Sequence, residues 1–318
     1  MLSLRIMQQD SAQHCTMPEL PDIEAYAHAL RRLVVGHPLQ SISVTSPFLL
    51  RSVEPPIDVV EGSVVKGISR LGKRVVFETN PAGRESVFMI VHLMIAGRFL
   101  WLEPGKKPPG RITQALFRFP HGTLALTEAS TQKRASLTLI EGLKGLAAHD
   151  PGGMDPLSAD LRSFAAALQA TNRTIKRALT DPRTFSGIGN AYSDEILHAA
   201  RLSPIAQTQK LSHEQIAQLH LAMQQTLTHW CDKLRAEFDG HFPKSGEVTA
   251  FRPEFAVHGK FGQACPVCGS PVQRIVRADN EINYCATCQT DGTVLADRSL
   301  SRLLKDDWPR TLEEWQAE

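Results

Sequence analysis

Between positions 17 and 34 apolar residues return at helical spacing. Ile23, Tyr26, Ala27, Leu30, Leu33 and Val34 share one face, which predicts an amphipathic helix. From about 39 to 140 the pattern shortens to runs of strand character, for example 41–45, 64–68, 74–78, 87–93, 115–119 and 123–126, separated by Gly, Pro and Asn. This predicts a mostly antiparallel β domain, a sandwich or a barrel. The stretch 149–156, HDPGGMDP, interrupts both periods and reads as a linker. Beyond it, 161–170, 174–180, 191–200 and 212–238 carry helical spacing, and Ser212 is placed to cap the longest helix. The polar, Gly- and Pro-bearing stretch 239–249 predicts a flexible loop, and 300–304 is a short amphipathic piece in an otherwise acidic tail. The order, strands then helices, is that of an α+β chain.

Composition narrows the class. At 318 residues the chain exceeds the size at which single cores stop growing, so two domains are expected. Hydrophobic residues make up 42% and charged residues 21%, the balance of an ordinary globular protein. No apolar run reaches the roughly 18 residues that span a bilayer. The first 16 residues hold one Arg and no signal-like apolar core, so no membrane partner and a cytoplasmic location are expected. The net charge of +2 places any nucleic-acid contact on local basic patches rather than on the total.

Four of the six cysteines are spaced Cys265-x2-Cys268-x16-Cys285-x2-Cys288. Each Cys-x2-Cys turn presents two thiolates, and two turns close a tetrahedron around zinc. Gly269 supplies a permissive backbone at the first knuckle, and 272–276 with 281–284 read as hairpin arms. Four thiolates leave no open position, so one structural zinc ion is expected, folding the hairpin rather than doing chemistry. Cys231 reads as a helix-packing residue.

Ser186-Gly187-Ile188-Gly189-Asn190 lies between helical segments. Its amides, at the start of the next helix, would face outward with the positive end of the dipole and suit a phosphate. Arg173, Lys176, Arg177 and Arg183 just upstream would add phosphate contacts.

Three motifs, taken in this order, resemble the formamidopyrimidine-DNA glycosylase/endonuclease VIII family over about residues 17–290. They are Pro18-Glu19-Leu20-Pro21-Asp22-Ile23-Glu24, the glycine turn continuing into Ala191-Tyr192-Ser193-Asp194-Glu195, and Val257-His258-Gly259-Lys260 entering the cysteine unit. The resemblance implies an N-terminal β-sandwich with flanking helices (17–148), the linker (149–156), a helix–two-turns–helix domain (157–250) and a zinc finger (251–290), with a 1–16 extension and a 291–318 tail. It implies a base-excision-repair glycosylase and abasic-site lyase that acts as a monomer on damaged double-stranded DNA, flips the target nucleotide and needs no nucleotide cofactor. Pro18 would be the nucleophile through a free N-terminal amine, Glu19 the acid that helps open the sugar ring, and Lys73 a contact to the phosphate beside the lesion. Lys176, Asn190, Arg134, Lys260 and Arg277 would bind DNA.

The chain also departs from the family pattern. Sixteen residues and Met17 precede Pro18, whose nitrogen inside a chain is an amide that cannot form an iminium. Translation from Met17 followed by Met removal is the simplest remedy. A retained leader implies a damaged-DNA-binding protein without catalysis. The wedge that fills the gap left by a flipped base reads Ile95 beside Met94 where the family keeps Met, and Ser136 where Phe follows Arg134. Asn280 replaces the hairpin Arg, with Arg274 and Arg277 nearby. These changes point away from oxidised guanine, toward another lesion or toward abasic sites.

Overall fold

The computed structural model describes residues 17–244, 246–249, 251–277, 280–296 and 310–316. The 1–16 extension and the 300–304 piece lie outside them.

Helix α1 (Leu20–Val34) leads into β1 (Ser41–Val44), β2 (Val65–Leu71), β3 (Arg74–Thr79), β4 (Val87–His92), β5 (Gly97–Leu102), β6 (Thr113–Phe119), β7 (Gly122–Glu128) and β8 (Ser136–Glu141). They form two antiparallel four-stranded sheets, β1-β6-β7-β5 and β2-β3-β4-β8, which settles the choice in favour of a sandwich. Val75, Phe77, Met89 and Val91 from one sheet meet Phe99, Phe117, Leu124 and Leu126 from the other. The Phe77 and Phe117 rings stack at 6.0 Å between centroids. The back of the second sheet, with Val76, Phe88 and Ile90, is covered by Leu146 of α2 (Gly142–Ala148). Burial on both faces explains why β4 reads as a continuous apolar run. The strands β5 and β8 go beyond those read from the sequence. Both are edge strands, whose pairing depends on the neighbour more than on their own pattern.

The helical half holds α3 (Leu161–Gln169), α4 (Ile175–Thr180), α5 (Asn190–Ala199) and α6 (His213–Glu237). Ser212 caps α6 as expected: its hydroxyl accepts from Gln215 N (3.2 Å) while Gln215 Oε1 accepts from Ser212 N (3.0 Å). The 25 residues of α6 reach about 37 Å. Leu219, Met223, Leu227 and Trp230 lie in the helical core with Phe164, Ile188 and Tyr192. Leu234 and Phe238 lie in the sandwich core with Tyr26 and Leu30. Leu20, at the start of α1, crosses the other way into the helical core. Each domain therefore lends a helix end to the other. The 239–249 stretch is more anchored than its composition suggests: Val248 is fully buried, and Phe242 packs on Tyr26 with ring centroids 5.9 Å apart.

Strands β9 (Val272–Arg277) and β10 (Asn280–Cys285) pair antiparallel and lead into α7 (Ala286–Thr290). Leu312, in a short helix Leu312–Gln316, packs against the Tyr284 side of this hairpin. Among the described residues no helix is long and apolar enough to cross a membrane.

Candidate active site and nucleic-acid interface

The N-terminal segment docks on the glycine turn. Pro18 is buried, and Leu20 N donates to Gly187 O at 2.9 Å. Glu19, 2% exposed, turns its carboxylate onto the first amides of α5: Gly189 N at 2.7 Å, Ala191 N at 2.9 Å and Tyr192 N at 3.2 Å. The expected anion site at this helix start exists, but its occupant is the protein's own carboxylate rather than a phosphate. The cause is unchanged, since unpaired amides and the dipole favour negative charge. Only the folded chain brings Glu19 there.

Lys73 sits in the turn between β2 and β3. A Cβ on Gly189 would lie 2.4 Å from Glu19 Cδ and Oε1 and 2.4 Å from Lys73 Nζ, so the carboxylate and the ammonium crowd the same spot. Burial raises the Glu19 pKa, with Lys73 the main opposing influence. Burial lowers that of Lys73, opposed by Glu19 and Asp22. The result is a carboxyl able to hold a proton at higher pH than usual, beside an amine able to shed one.

Around this pair lies a buried polar network. Asp22, with no exposed surface, accepts from Glu19 N (3.0 Å) and from Arg252 (2.8 Å). Asp194 accepts from Lys176 Nζ (2.5 Å) and Asn283 N (3.2 Å) and pairs with His258 Nδ1 (2.8 Å). Glu195 accepts from the amides of Ala256, Val257 and His258 at 2.7, 2.9 and 2.9 Å. Asn190 Nδ2 donates to Glu281 O at 2.8 Å. Helix α5 thus clamps the approach to the cysteine unit from one side and one arm of the hairpin from the other. The residue-level reading of the sequence assigned no role to Asp194 or Glu195. The available signal was two adjacent carboxylates in a helix otherwise rich in apolar positions, because buried acids need partners.

The four thiol groups converge, with all sulfurs within 4.8 Å of one another. Cys268 and Cys285 sulfurs are 3.4 Å apart, those of Cys265 and Cys288 4.0 Å. A tetrahedron with 2.3 Å metal–sulfur bonds needs about 3.8 Å between sulfurs. The donor set fits one structural zinc ion held by Cys265, Cys268, Cys285 and Cys288. Gly269 at the knuckle has φ +76°, as expected of a residue chosen for its backbone. His198 of α5 lies 3.3 Å from Cys265 Sγ, a further tie between the helical domain and the finger.

Three domain families match this chain: the formamidopyrimidine-DNA glycosylase N-terminal domain over 17–134, its H2TH domain over 153–233, and the zinc finger found in FPG and IleRS over 262–290. The formamidopyrimidine-DNA glycosylase of Cytobacillus firmus is 30% identical over 286 residues, covering 86% of this chain and all of that protein. The chain belongs to the formamidopyrimidine-DNA glycosylase/endonuclease VIII family. An uncharacterized formamidopyrimidine-DNA glycosylase-like protein of Mycobacterium tuberculosis is 44% identical over 154 residues, covering 48% of this chain and 94% of that protein. Lactococcus lactis Fpg in complex with an oxidized pyrimidine containing DNA superposes with a TM-score of 0.75 at 26% identity, covering 86% of this chain and all of that one. The same protein with abasic-site DNA gives 0.74 at 25% identity, covering 86% and 99%.

In this family member the expected DNA-contacting side chains fall into two groups. Arg134 is exposed, on a loop pinned by the buried Glu128 carboxylate, which accepts from Arg134 N (2.8 Å) and Ala135 N (3.1 Å). Ile95 is exposed at the tip of the β4–β5 turn, and Ser136 begins β8. Lys260 Nζ bonds Pro253 O at 2.9 Å, and Arg274 lies over the Phe261 ring. The backbone of Arg277 ends β9, and its side chain lies outside the described atoms. Lys176 differs: it is buried, and its three N–H groups serve Asp194, Ser193 Oγ (3.0 Å) and Asn190 O (2.9 Å). A phosphate reaches Lys176 only by displacing one of them. Arg173 is likewise held by Asp181, whereas Arg177 and Arg183 are exposed. His92, at the end of β4, was also given no role; its pKa is lowered to about 4 by burial and by the charges of Arg74 and Lys73.

Proposed function

We propose that this DNA glycosylase of base excision repair also cuts the strand at the abasic site, with Pro18 as the nucleophile once residues 1–17 are removed. The lone pair of the freed proline nitrogen bonds to C1′ of the sugar, and the damaged base leaves with the electrons of the glycosidic bond and the proton that the nitrogen gives up. Glu19 protonates the ring oxygen as the C1′–O4′ bond opens, giving an iminium. Loss of a C2′ proton then expels the 3′ phosphate by β-elimination, and water releases the enzyme. Lys73 holds the phosphate beside the lesion and balances the charge of Glu19. The exposed Arg134, Arg177 and Arg183 meet phosphates, joined by Lys260 and Arg277. Lys176 and Asn190 join them only by releasing their present partners. The protein acts in this reading as a monomer on damaged double-stranded DNA.

The reading rests chiefly on Glu19, a carboxyl with 2% exposure and a burial-raised pKa, fixed by three amides one residue from proline. The test is borohydride trapping on abasic duplex DNA with protein whose first residue is Pro18. A covalent adduct is expected there and none with residues 1–17 retained. No adduct from the Pro18 form overturns the reading. The intact mass of the protein from its native host then tells which form the cell keeps, since a retained leader leaves a damaged-DNA-binding protein.

A further inference from the structure

Residues 234–261 lie between the matched H2TH and zinc-finger domains, and one side chain in this stretch reaches the catalytic segment. Arg252 is 7% exposed at its side chain, and its guanidinium donates to Asp22 Oδ1 at 2.8 Å. It lies against the Trp230 ring at 5.6 Å and within electrostatic reach of the Tyr192 phenol. The other Asp22 oxygen accepts the Glu19 N–H at 3.0 Å. That N–H belongs to the peptide joining Pro18 to Glu19, so its direction sets where the proline ring and its nitrogen lie.

An acid three residues into a helix commonly holds the N-cap amide from solvent. Here the same acid is wholly buried, where a carboxylate alone is poorly tolerated. An apolar pair would fill the space at no electrostatic cost, so a buried ion pair is weak evidence of a stabilising role. What the pair adds is direction: one oxygen is fixed by Arg252 and the other is thereby aimed at the Glu19 amide.

We propose that Arg252 is a positioning residue for the Pro18–Glu19 peptide, acting through Asp22. It also ties the far end of the segment that follows α6 to the catalytic N-terminus, so that the nucleophile is aligned only when this segment is seated. The inference rests on the Pro18 reading above.

The test uses protein beginning at Pro18, compared as wild type, R252M, R252K and D22N/R252M. Three quantities are measured: the trapping rate on abasic DNA at saturating enzyme, the affinity for a tetrahydrofuran-containing duplex, and the thermal midpoint. In R252M the trapping rate is expected to fall roughly 30- to 100-fold, the range for a nucleophile displaced by about 1 Å, with duplex affinity little changed. R252K is expected to recover part of the rate. In D22N/R252M no buried charge is left unpaired, so the midpoint should return toward wild type while the rate stays low. A double variant that regains both midpoint and rate overturns the inference, because Arg252 then only neutralises Asp22. An R252M rate equal to wild type overturns it as well. Wild-type protein that traps nothing overturns the Pro18 reading and the inference with it.

Discussion

Gly189 has φ −129°, a value open to any residue, yet a Cβ there would collide with Glu19 and Lys73 at 2.4 Å. Gly189→Ala therefore tests room and not backbone freedom. It is expected to cost about 1–3 kcal/mol through overpacking and to slow base release by roughly a hundredfold through displacement of Glu19. Single-turnover rates and a melting curve check it, and a variant with wild-type rate counts against the crowding described. His92 gives a pH prediction. Its folded pKa of about 4 lies below the ordinary 6.5, so between these values the unfolded chain binds more protons. Its contribution is complete above pH 6.5 and is lost as pH falls through about 4. Glu19 and Asp22, whose pKa values are raised, slope the other way over part of this range. The comparison is therefore wild type against His92→Gln. Denaturant titrations at several pH values should show the wild type losing stability faster on acidification, and parallel curves would refute the assignment. At this scale the family resemblance singled out Pro18, Glu19 and Lys73, and the fold brings Glu19 and Lys73 together against Gly189. Asp22, Arg252, Asp194 and Glu195 were not given roles, because Arg252 lies 230 positions from Asp22, His258 64 from Asp194 and Ala256 61 from Glu195.

Helices were the most legible elements. The expected 161–170, 191–200 and 212–238 correspond closely to α3, α5 and α6, and the Ser212 cap is formed as read. Periodicity and caps are set by neighbours within a turn, which a single sequence displays. The cysteine hairpin was legible for a similar reason, since each thiolate pair is local and only the two pairs need to meet. Strands were harder. The edge strands β5 and β8 were not among those read, and the run of β4 left open what covers its two faces. The glycine turn illustrates a different limit. Its amides were correctly read as a place for an anion, but whether that anion belongs to DNA or to the protein is not written in the local sequence.

For the molecule as a whole, α6 passes from the helical core into the sandwich core, and Leu20 crosses in return. The Arg70 side chain, 7% exposed, adds a further link, pairing with Glu24 of α1 at 3.1 Å and with Asp155, ahead of α3, at 3.1 Å. Two cores sharing elements should not melt independently. Calorimetry of the zinc-loaded protein is expected to show one endotherm for both domains, and two resolved transitions would contradict the shared packing. From its sequence alone the chain determined its run of helices and strands, its four zinc ligands and its place in a repair family, because these rest on spacing between near neighbours. The tertiary structure alone decided that Glu19 fills the start of α5 and which buried acids meet Lys176, His258 and Arg252. Those outcomes depend on which distant charges are drawn out of water together, and a charge removed from water takes whatever partner the fold sets within a few ångströms of it.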